Sequence, residues 1–409
     1  MNPIYIKAGL DIGNGYSKGK VTVTDNSAIN ANGNVDFPSV TAKLVQPAVI
    51  HQQSEADVKA IIGDIYNQME TTFQSPLVEP DTHYIFGKRA LASGKIVQEF
   101  TIGSQISKTK QNITYNLIFA SVAGAAIQSY FAAYNTLPTE PIEVFVKAAL
   151  SLPINEYKRN KKPYSDALTS NKHVVNFYNF KDRVVSVVIN FTNVIVTAEG
   201  AAALVFMFDA GTPLIEGMLA DIRSRGITLD GITSEDVAGC RNVLGIDIGE
   251  GTVNFPVFKD GRFQPDASTT YDMGYGFTLT NALAPLSDNG LPFKNRKALA
   301  DYLQQTPNAL NRRRYEAVLN IVRSVSNDFV ADVVAQTGQL LQEISAYVDL
   351  IYVYGGGATP MKEMLYPALI KEVSQNAAVG TAIPVLYLDS QYSRNLNREG
   401  LFKLVNVAQ

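Results

Sequence analysis

Residues 9–15 read GLDIGNG, and residues 245–251 read GIDIGEG. Glycine, apolar residue, aspartate, isoleucine, glycine, any residue, glycine is spelled near the start of the chain and again past its middle. One glycine-rich turn is common. Two copies, each directly after an apolar run, point to two similar halves that bring a carboxylate and a flexible turn to one shared place. In the first copy Asp11 stands where an apolar strand meets solvent, with Lys18 just beyond. Gly13 and Gly15 can adopt positive φ and let backbone N–H groups approach an anion closely. The second copy repeats this with Asp247, Gly249 and Gly251, and has no matching lysine. Two carboxylates facing one polyphosphate would repel it unless a cation sits between them. Mg²⁺ takes oxygen ligands and usually keeps its waters, so the pair implies a magnesium nucleotide. The alternative is that each turn is only a tight hairpin with aspartate as a turn residue.

A third turn, Gly355-Gly356-Gly357, follows LIYVY and precedes a helical pattern. A backbone without side chains can lie flat against a base or ribose, or can simply make a tight strand-to-helix turn. Glu199 ends an apolar strand and opens the alanine-rich run TAEGAAAL, 197–204. There it either interacts with the helix dipole or orients or deprotonates a water that attacks a γ-phosphate. Two other nucleotide signatures are excluded. No stretch reads G-x-x-x-x-G-K-[ST]. Gly13 and Gly15 are followed by Gly19, one position too late for G-x-G-x-x-G, and the next segment reads as a strand where the dinucleotide motif needs a helix.

The bulk numbers leave room for this reading. A chain of 409 residues with 46% hydrophobic content is long enough for two lobes. Charged residues make up 18% and the net charge is −3, so no strong field points to direct contact with nucleic acid or membrane. Cys240 is the one cysteine, which excludes an internal disulfide and fits a cytoplasmic protein. His51, His83 and His173 are scattered, without zinc spacing. The N-terminus lacks the pattern of a signal peptide. The apolar stretch 184–208 is interrupted by polar residues and by Glu199, and reads as buried strands followed by a buried helix. The basic clusters Lys158, Arg159, Lys161, Lys162 and Arg312, Arg313, Arg314 read as solvated faces, or as contacts with a neighbouring subunit or an acidic partner.

Along the chain, Ile4–Asp11 and the segment around Val21 and Val23 form a hairpin, and 24–36 is a loop. Val58–Met69 is helical by spacing, and 112–134 is a long buried helix. Residues 143–153 are a buried strand, 174–189 a hairpin around Asn179–Asp182, and 193–200 a strand. The second half restarts with strand, turn and strand at 242–258. Helices follow at 276–286 and 312–347, then a strand, the triple glycine, and a helix capped by Thr359. A last core strand at 385–389 and a helix at 396–407 complete the chain.

The three glycine turns, in this order, resemble the nucleotide-binding signature of the actin, sugar kinase and chaperone ATPase superfamily. GLDIGNGYSKGK is similar to its first phosphate loop, GIDIGEGTVNFPVF to its second and IYVYGGGATPM to its adenosine motif. TAEGAAAL and DSQYSRNLNREGLFKL, 389–404, resemble its two connecting segments. Within the superfamily the short first loop, the GGGA turn and the SQYSRNLNREGLFKL ending most resemble the bacterial ParM-type and Alp-type proteins that segregate plasmids. The resemblance implies an α/β, two-lobed actin-like fold with duplicated mixed sheets flanked by helices and a nucleotide cleft between the lobes. The first lobe would take 1–36, 101–240 and 391–409, with a small subdomain at 37–100. The second would take 241–275 and 340–390, with an insertion at 276–339.

It implies roles as well. Asp11 would hold Mg²⁺ through water, and Gly13, Asn14, Gly15 and Lys18 would contact the β- and α-phosphates. Many relatives carry serine or threonine where this chain has Asn14, whose amide can still donate. Asp247 would hold the metal or the attacking water, with Gly249, Glu250 and Gly251 around the γ-phosphate. Glu250 would either face Mg²⁺ or turn away. Gly355, Gly356 and Gly357 would line the adenosine, and Glu199 would assist hydrolysis. The nucleotide would be ATP, with GTP left open. The function implied is a filament of copies of this chain that polymerises head to tail, hydrolyses ATP, and moves plasmid or phage DNA. A DNA-binding adaptor at a plasmid centromere would make the link. A small-molecule kinase would need an acceptor pocket and base that the sequence does not reveal. A chaperone-type ATPase would want a peptide-binding domain where only LVNVAQ follows Lys403.

Overall fold

The computed structural model describes residues 2–102, 106–181, 183–226, 229, 231–344, 347–376, 383–388 and 390–407. They fall into two units, one of 2–101, 106–206 and 397–407, the other drawn from 207–396. Residues 207–226, 229 and 231–240 group with the second unit.

The first unit is built on ten strands: β1 (Ile4–Ile12), β2 (Tyr16–Thr24), β3 (Asn30–Pro38), β4 (Thr41–Leu44), β5 (Glu70–Gln74), β6 (His83–Phe86), β7 (Val97–Gln98), β8 (Ile142–Leu152), β9 (Lys172–Phe180) and β10 (Arg183–Ala198). Their order in the sheet is β3-β2-β1-β8-β10-β9-β5-β6-β4-β7. β1, β8 and β10 run parallel at its centre, while β2 and β9 flank them antiparallel. These central strands read as nearly unbroken apolar runs because both faces are covered. The helices are α1 (Glu55–Gly63), α2 (Ile65–Gln68), α3 (Gly87–Ala92), α4 (Asn112–Tyr134), α5 (Ile154–Thr169) and α6 (Ala201–Met207). α4 is the expected long helix, with Ile113–Ile127 buried throughout. It is also the one described helix long and apolar enough to cross a membrane, and most of it is covered by the rest of the unit.

Three local expectations change. The 24–36 loop is only partly a loop, since β3 pairs along β2 from Thr24↔Asn30 to Tyr16↔Pro38. Turn-forming composition is overridden there by ladder hydrogen bonds to β2. The helix at Val58–Met69 starts earlier, at Glu55, where Ser54 and Asp57 make a reciprocal capping box, and it breaks at Asp64. The second arm of the hairpin expected at 174–189 and the separate strand expected at 193–200 are one long strand, β10, whose register against β8 shifts between Phe191 and Asn193. Asp182 of the hairpin lies outside the described residues.

The second unit adds α7 (Thr212–Ser224), α8 (Ser234–Gly239), β11 (Val243–Ile248), β12 (Val253–Phe255), β13 (Val257–Lys259), β14 (Arg262–Phe263), β15 (Thr269–Tyr271), α9 (Tyr275–Asp288), α10 (Arg296–Leu303), α11 (Arg312–Ile344), β16 (Leu350–Tyr354), α12 (Ala358–Asn376), β17 (Val385–Tyr387) and α13 (Ser390–Ser393). β11 pairs antiparallel with β12 and β13, and parallel with β16, which in turn runs parallel to β17. The expected single strand after the second turn is split at Pro256. That residue has no N–H for the ladder, and its carbonyl accepts from Gly245. Thr359 is already inside α12, so it is not the residue that precedes the helix. The last element, α14 (Leu396–Val407), returns to the first unit, where Glu399 meets Lys20 of β2 at 2.8 Å.

The duplication is visible in the pairing. β1 with β2, β8 and β10 has the same relations as β11 with β12, β16 and β17: one antiparallel hairpin partner, then two parallel neighbours.

Candidate functional site

In open sheets with parallel strands, ligands sit beyond the carboxyl ends of those strands. Each unit brings its singled-out residues to that edge. In the first unit these are Asp11 at the end of β1, the hairpin after it, and Glu199 after β10. In the second they are Asp247 at the end of β11, its hairpin, and Gly355 after β16.

The two hairpins are built alike. The Gly13 amide donates to the Tyr16 carbonyl at 3.1 Å, and the Gly249 amide donates to the Thr252 carbonyl at 2.9 Å. A Cβ on Gly13 would lie 2.8 Å from that carbonyl oxygen, and one on Gly249 would lie 3.0 Å from its counterpart. Close approach, not positive φ, is what these glycines supply. Gly13, Gly15, Gly249 and Gly251 all have ordinary φ, against the expectation from sequence. Among the described residues no group accepts from the amides of Asn14, Gly15 or Gly251. Such donors at a turn apex are a ready anion cradle.

The aspartates are both buried, Asp11 at 6% and Asp247 at 5% exposure. In the ladder Asp11 faces Lys18 and Asp247 faces Asn254, the same offset in both hairpins. Lys18 Nζ lies 3.2 Å from Asp11 Oδ2. Asn254 is buried and accepts from the Thr270 hydroxyl at 2.8 Å. The first turn is also tied down from behind, where Ser39 N donates to Gly15 O and the Ser17 and Ser39 hydroxyls meet at 3.0 Å.

The triple-glycine turn joins the second hairpin. Gly357 N donates to Ile248 O at 2.8 Å. Gly355 has φ +100°, and a Cβ there would meet Ile248 O and lie 2.5 Å from Asp247 Oδ1. Burial, and next the charge of Asp247, push the Tyr354 hydroxyl well above its ordinary range. Gly356 faces open space.

Glu250 turns its carboxylate to Arg296, whose Nε lies 3.0 Å away. Its carbonyl accepts from Gly276, and Gly249's from Tyr275, so the start of α9 docks on the hairpin. The sequence reading missed this Gly274-Tyr275-Gly276 contact, although two glycines flanking an aromatic residue at a helix start were its signal. Glu199 does not open α6, which begins at Ala201. Its amide donates to Leu152 O and its Oε1 meets Lys108 Nζ at 2.6 Å. Nothing in the sequence around Lys108 marked it.

Among the described residues no three His, Cys, Asp or Glu side chains gather as a metal cage. One buried carboxylate per hairpin fits Mg²⁺, which uses one or two carboxylates plus phosphate and water. The open amides and the glycines too tightly placed for a Cβ fit a phosphate chain.

Residues 245–366 match the family model described as archaeal actin homologue MreB-like, C-terminal. No curated protein matches the chain by sequence. Solved structures match along its length. Ta0583, an archaeal actin homologue, has a TM-score of 0.59 at 13% identity, covering 98% of this chain and 100% of that one. Bacillus thuringiensis ParM with ADP has a TM-score of 0.57 at 16% identity, covering 98% and 99%. The same protein with ATP gives 0.55 at 15% identity, covering 100% and 99%. The fold is therefore that of the actin-like proteins, as the glycine turns implied.

Proposed function

We propose that this actin-like chain is an ATP-dependent filament protein that moves DNA through an adaptor. The observation that carries the reading is the pair of buried-aspartate hairpins, alike in turn and register, at matching edges of a duplicated sheet. The ParM and archaeal homologues crystallised with adenine nucleotides support the choice of ligand.

In this reading Asp11 and Asp247 hold Mg²⁺, which when bound neutralises the charge of the phosphates. Lys18 and the amides of Asn14 and Gly15 take the β- and α-phosphates. Gly249 and Gly251 surround the γ-phosphate, and Glu250, committed to Arg296, shapes its hairpin from outside. Gly355–Gly357 bring bare backbone to the adenosine. Glu199 orients the attacking water, a positioning role of the kind that dominates phosphoryl transfer. The four-part division read from sequence, with 37–100 and 276–339 as the smaller parts, is proposed with it. Nucleotide binding favours a head-to-tail, heterologous contact, which builds open helices. Hydrolysis then weakens that contact. An adaptor fits a cytoplasmic chain of net charge −3 better than direct DNA binding.

Light scattering with pelleting after addition of ATP and Mg²⁺ tests this. Scattering that rises and then decays with phosphate release supports the filament. A flat trace, with turnover appearing only when a sugar is supplied, replaces it with a small-molecule kinase.

A further inference from the structure

Lys108 is a lysine where lysines rarely sit. It is 4% exposed, its Nζ lies 2.6 Å from Glu199 Oε1, and it stands 5.7 Å from the centre of the Phe100 ring. Desolvating an ammonium is costly, and a buried ion pair seldom stabilises a fold more than apolar side chains of the same size would. The short turn Lys108–Lys110 is itself gripped from α5. Glu156 accepts from the Lys108 amide at 3.0 and 2.9 Å and from the Ser107 hydroxyl at 2.6 Å, and Asn160 donates to the same hydroxyl at 3.1 Å. One strand over, Ser151 lies in register with Thr197, two residues before Glu199. Its hydroxyl is buried and has no partner among the described residues. A costly buried charge, a clamp on the segment that carries it and an orphaned hydroxyl therefore converge on the carboxyl edge that holds Glu199.

We infer that Lys108 is a positioning residue for hydrolysis: it anchors Oε1 of Glu199 and thereby sets the carboxylate's direction toward the attacking water. The inference rests on the hydrolytic reading of Glu199. Lys108 holds one oxygen of a side chain with three rotatable bonds, which narrows the directions the carboxylate can face. Glu156 and Asn160 in turn hold the backbone from which Lys108 reaches. Without the ammonium, Glu199 samples rotamers that do not face the water, and turnover falls while nucleotide binding stays.

The test uses the full chain with ATP and Mg²⁺, reading phosphate release and nucleotide affinity for Lys108→Met, Lys108→Arg, Glu199→Gln and Lys108→Met/Glu199→Gln. Lys108→Met is expected to slow release about tenfold or more with affinity within about twofold, an effect on kcat and not on KM. Lys108→Arg, which keeps the charge and a donor, is expected to recover part of the rate. The double variant is expected to match Glu199→Gln alone. It also removes both charges together, so it keeps the comparison open if Lys108→Met unfolds. Wild-type turnover in Lys108→Met with slow Glu199→Gln overturns the role of Lys108 and leaves that of Glu199 standing. So does a double variant about tenfold slower than Glu199→Gln, because Lys108 would then act by another route. Wild-type turnover in Glu199→Gln removes the hydrolytic reading itself, and this inference with it.

Discussion

The hairpins at Asp11 and Asp247 share a turn hydrogen bond and a ladder register, yet differ in what faces the aspartate. The first has a lysine, 3.2 Å from the carboxylate. The second has a buried asparagine bonded to Thr270, with a triple-glycine turn pressed against the aspartate. The two hairpins share backbone geometry and differ in electrostatics. The first hairpin carries its own cation beside the carboxylate. The second faces its aspartate with the Asn254 amide and packs glycine backbone against it, and Arg296 pairs with Glu250. The same hairpin frame thus carries two different surroundings for its aspartate, a cation in one unit and closely packed glycine backbone in the other.

The largest break in that comparison is an exchange of the facing residues. Asn254→Lys puts an ammonium at a position only 1% exposed and should cost ~3–5 kcal/mol, read as a lower melting temperature. Lys18→Asn removes the cation beside the buried Asp11, so it should lower the melting temperature less than Asn254→Lys does and lower nucleotide affinity as well. Equal stability losses in both would mean that the two sites are electrostatically alike. Next comes Gly355→Ala. A Cβ at φ +100° against Ile248 O and Asp247 should destabilise the second unit by about 2–4 kcal/mol and abolish nucleotide binding. A neutral outcome would show that this turn is not fitted to the hairpin.

Gly13→Ala and Gly249→Ala probe what the hairpins share. Each adds a Cβ at 2.8 or 3.0 Å from a turn carbonyl, so each should cost ~1–2 kcal/mol in chemical denaturation, the first slightly more. Costs that differ several-fold would mean the turns only look alike. The smallest effect concerns acid. All three histidines lie in the first unit. Burial holds the His173 imidazole below its ordinary value of 6.5, an effect partly offset by the hydrogen bond to Leu168 O. The unfolded chain therefore takes up the proton first, and stability is lost as pH falls through about 6.5. Hydrogen exchange should quicken in β9 and α4 before it does in the second unit, and His173→Phe should flatten the difference. Earlier loosening of the second unit would refute this.

Much of the fold could be read from the chain because its signals were local. The apolar run 112–134 became α4 with the same ends, LNREGLFKLVNV became α14, and the glycine–aspartate pattern marked both hairpins. What escaped was set by partners distant in sequence. Asn30–Pro38 became a strand because β2 offered it a ladder. Lys108 meets Glu199 across ninety-one positions, and Arg296 reaches Glu250 across forty-six. No periodicity encodes such meetings. Positive φ, expected at Gly13 and Gly15 and at their repeats Gly249 and Gly251, is found at none of these four, whereas Gly355 of the third turn has it. At Gly13 and Gly249 a neighbouring carbonyl, and not φ, excludes a side chain.

The central claim is that both hairpins grip one magnesium nucleotide. Isothermal titration of ATP into the full chain, with and without Mg²⁺, tests it most directly in the native protein, Asp11→Asn and Asp247→Asn. The account predicts that Mg²⁺ tightens native binding, and that either substitution alone removes about tenfold or more of that affinity. A native chain indifferent to Mg²⁺, or either variant keeping the full magnesium-dependent affinity, would contradict it.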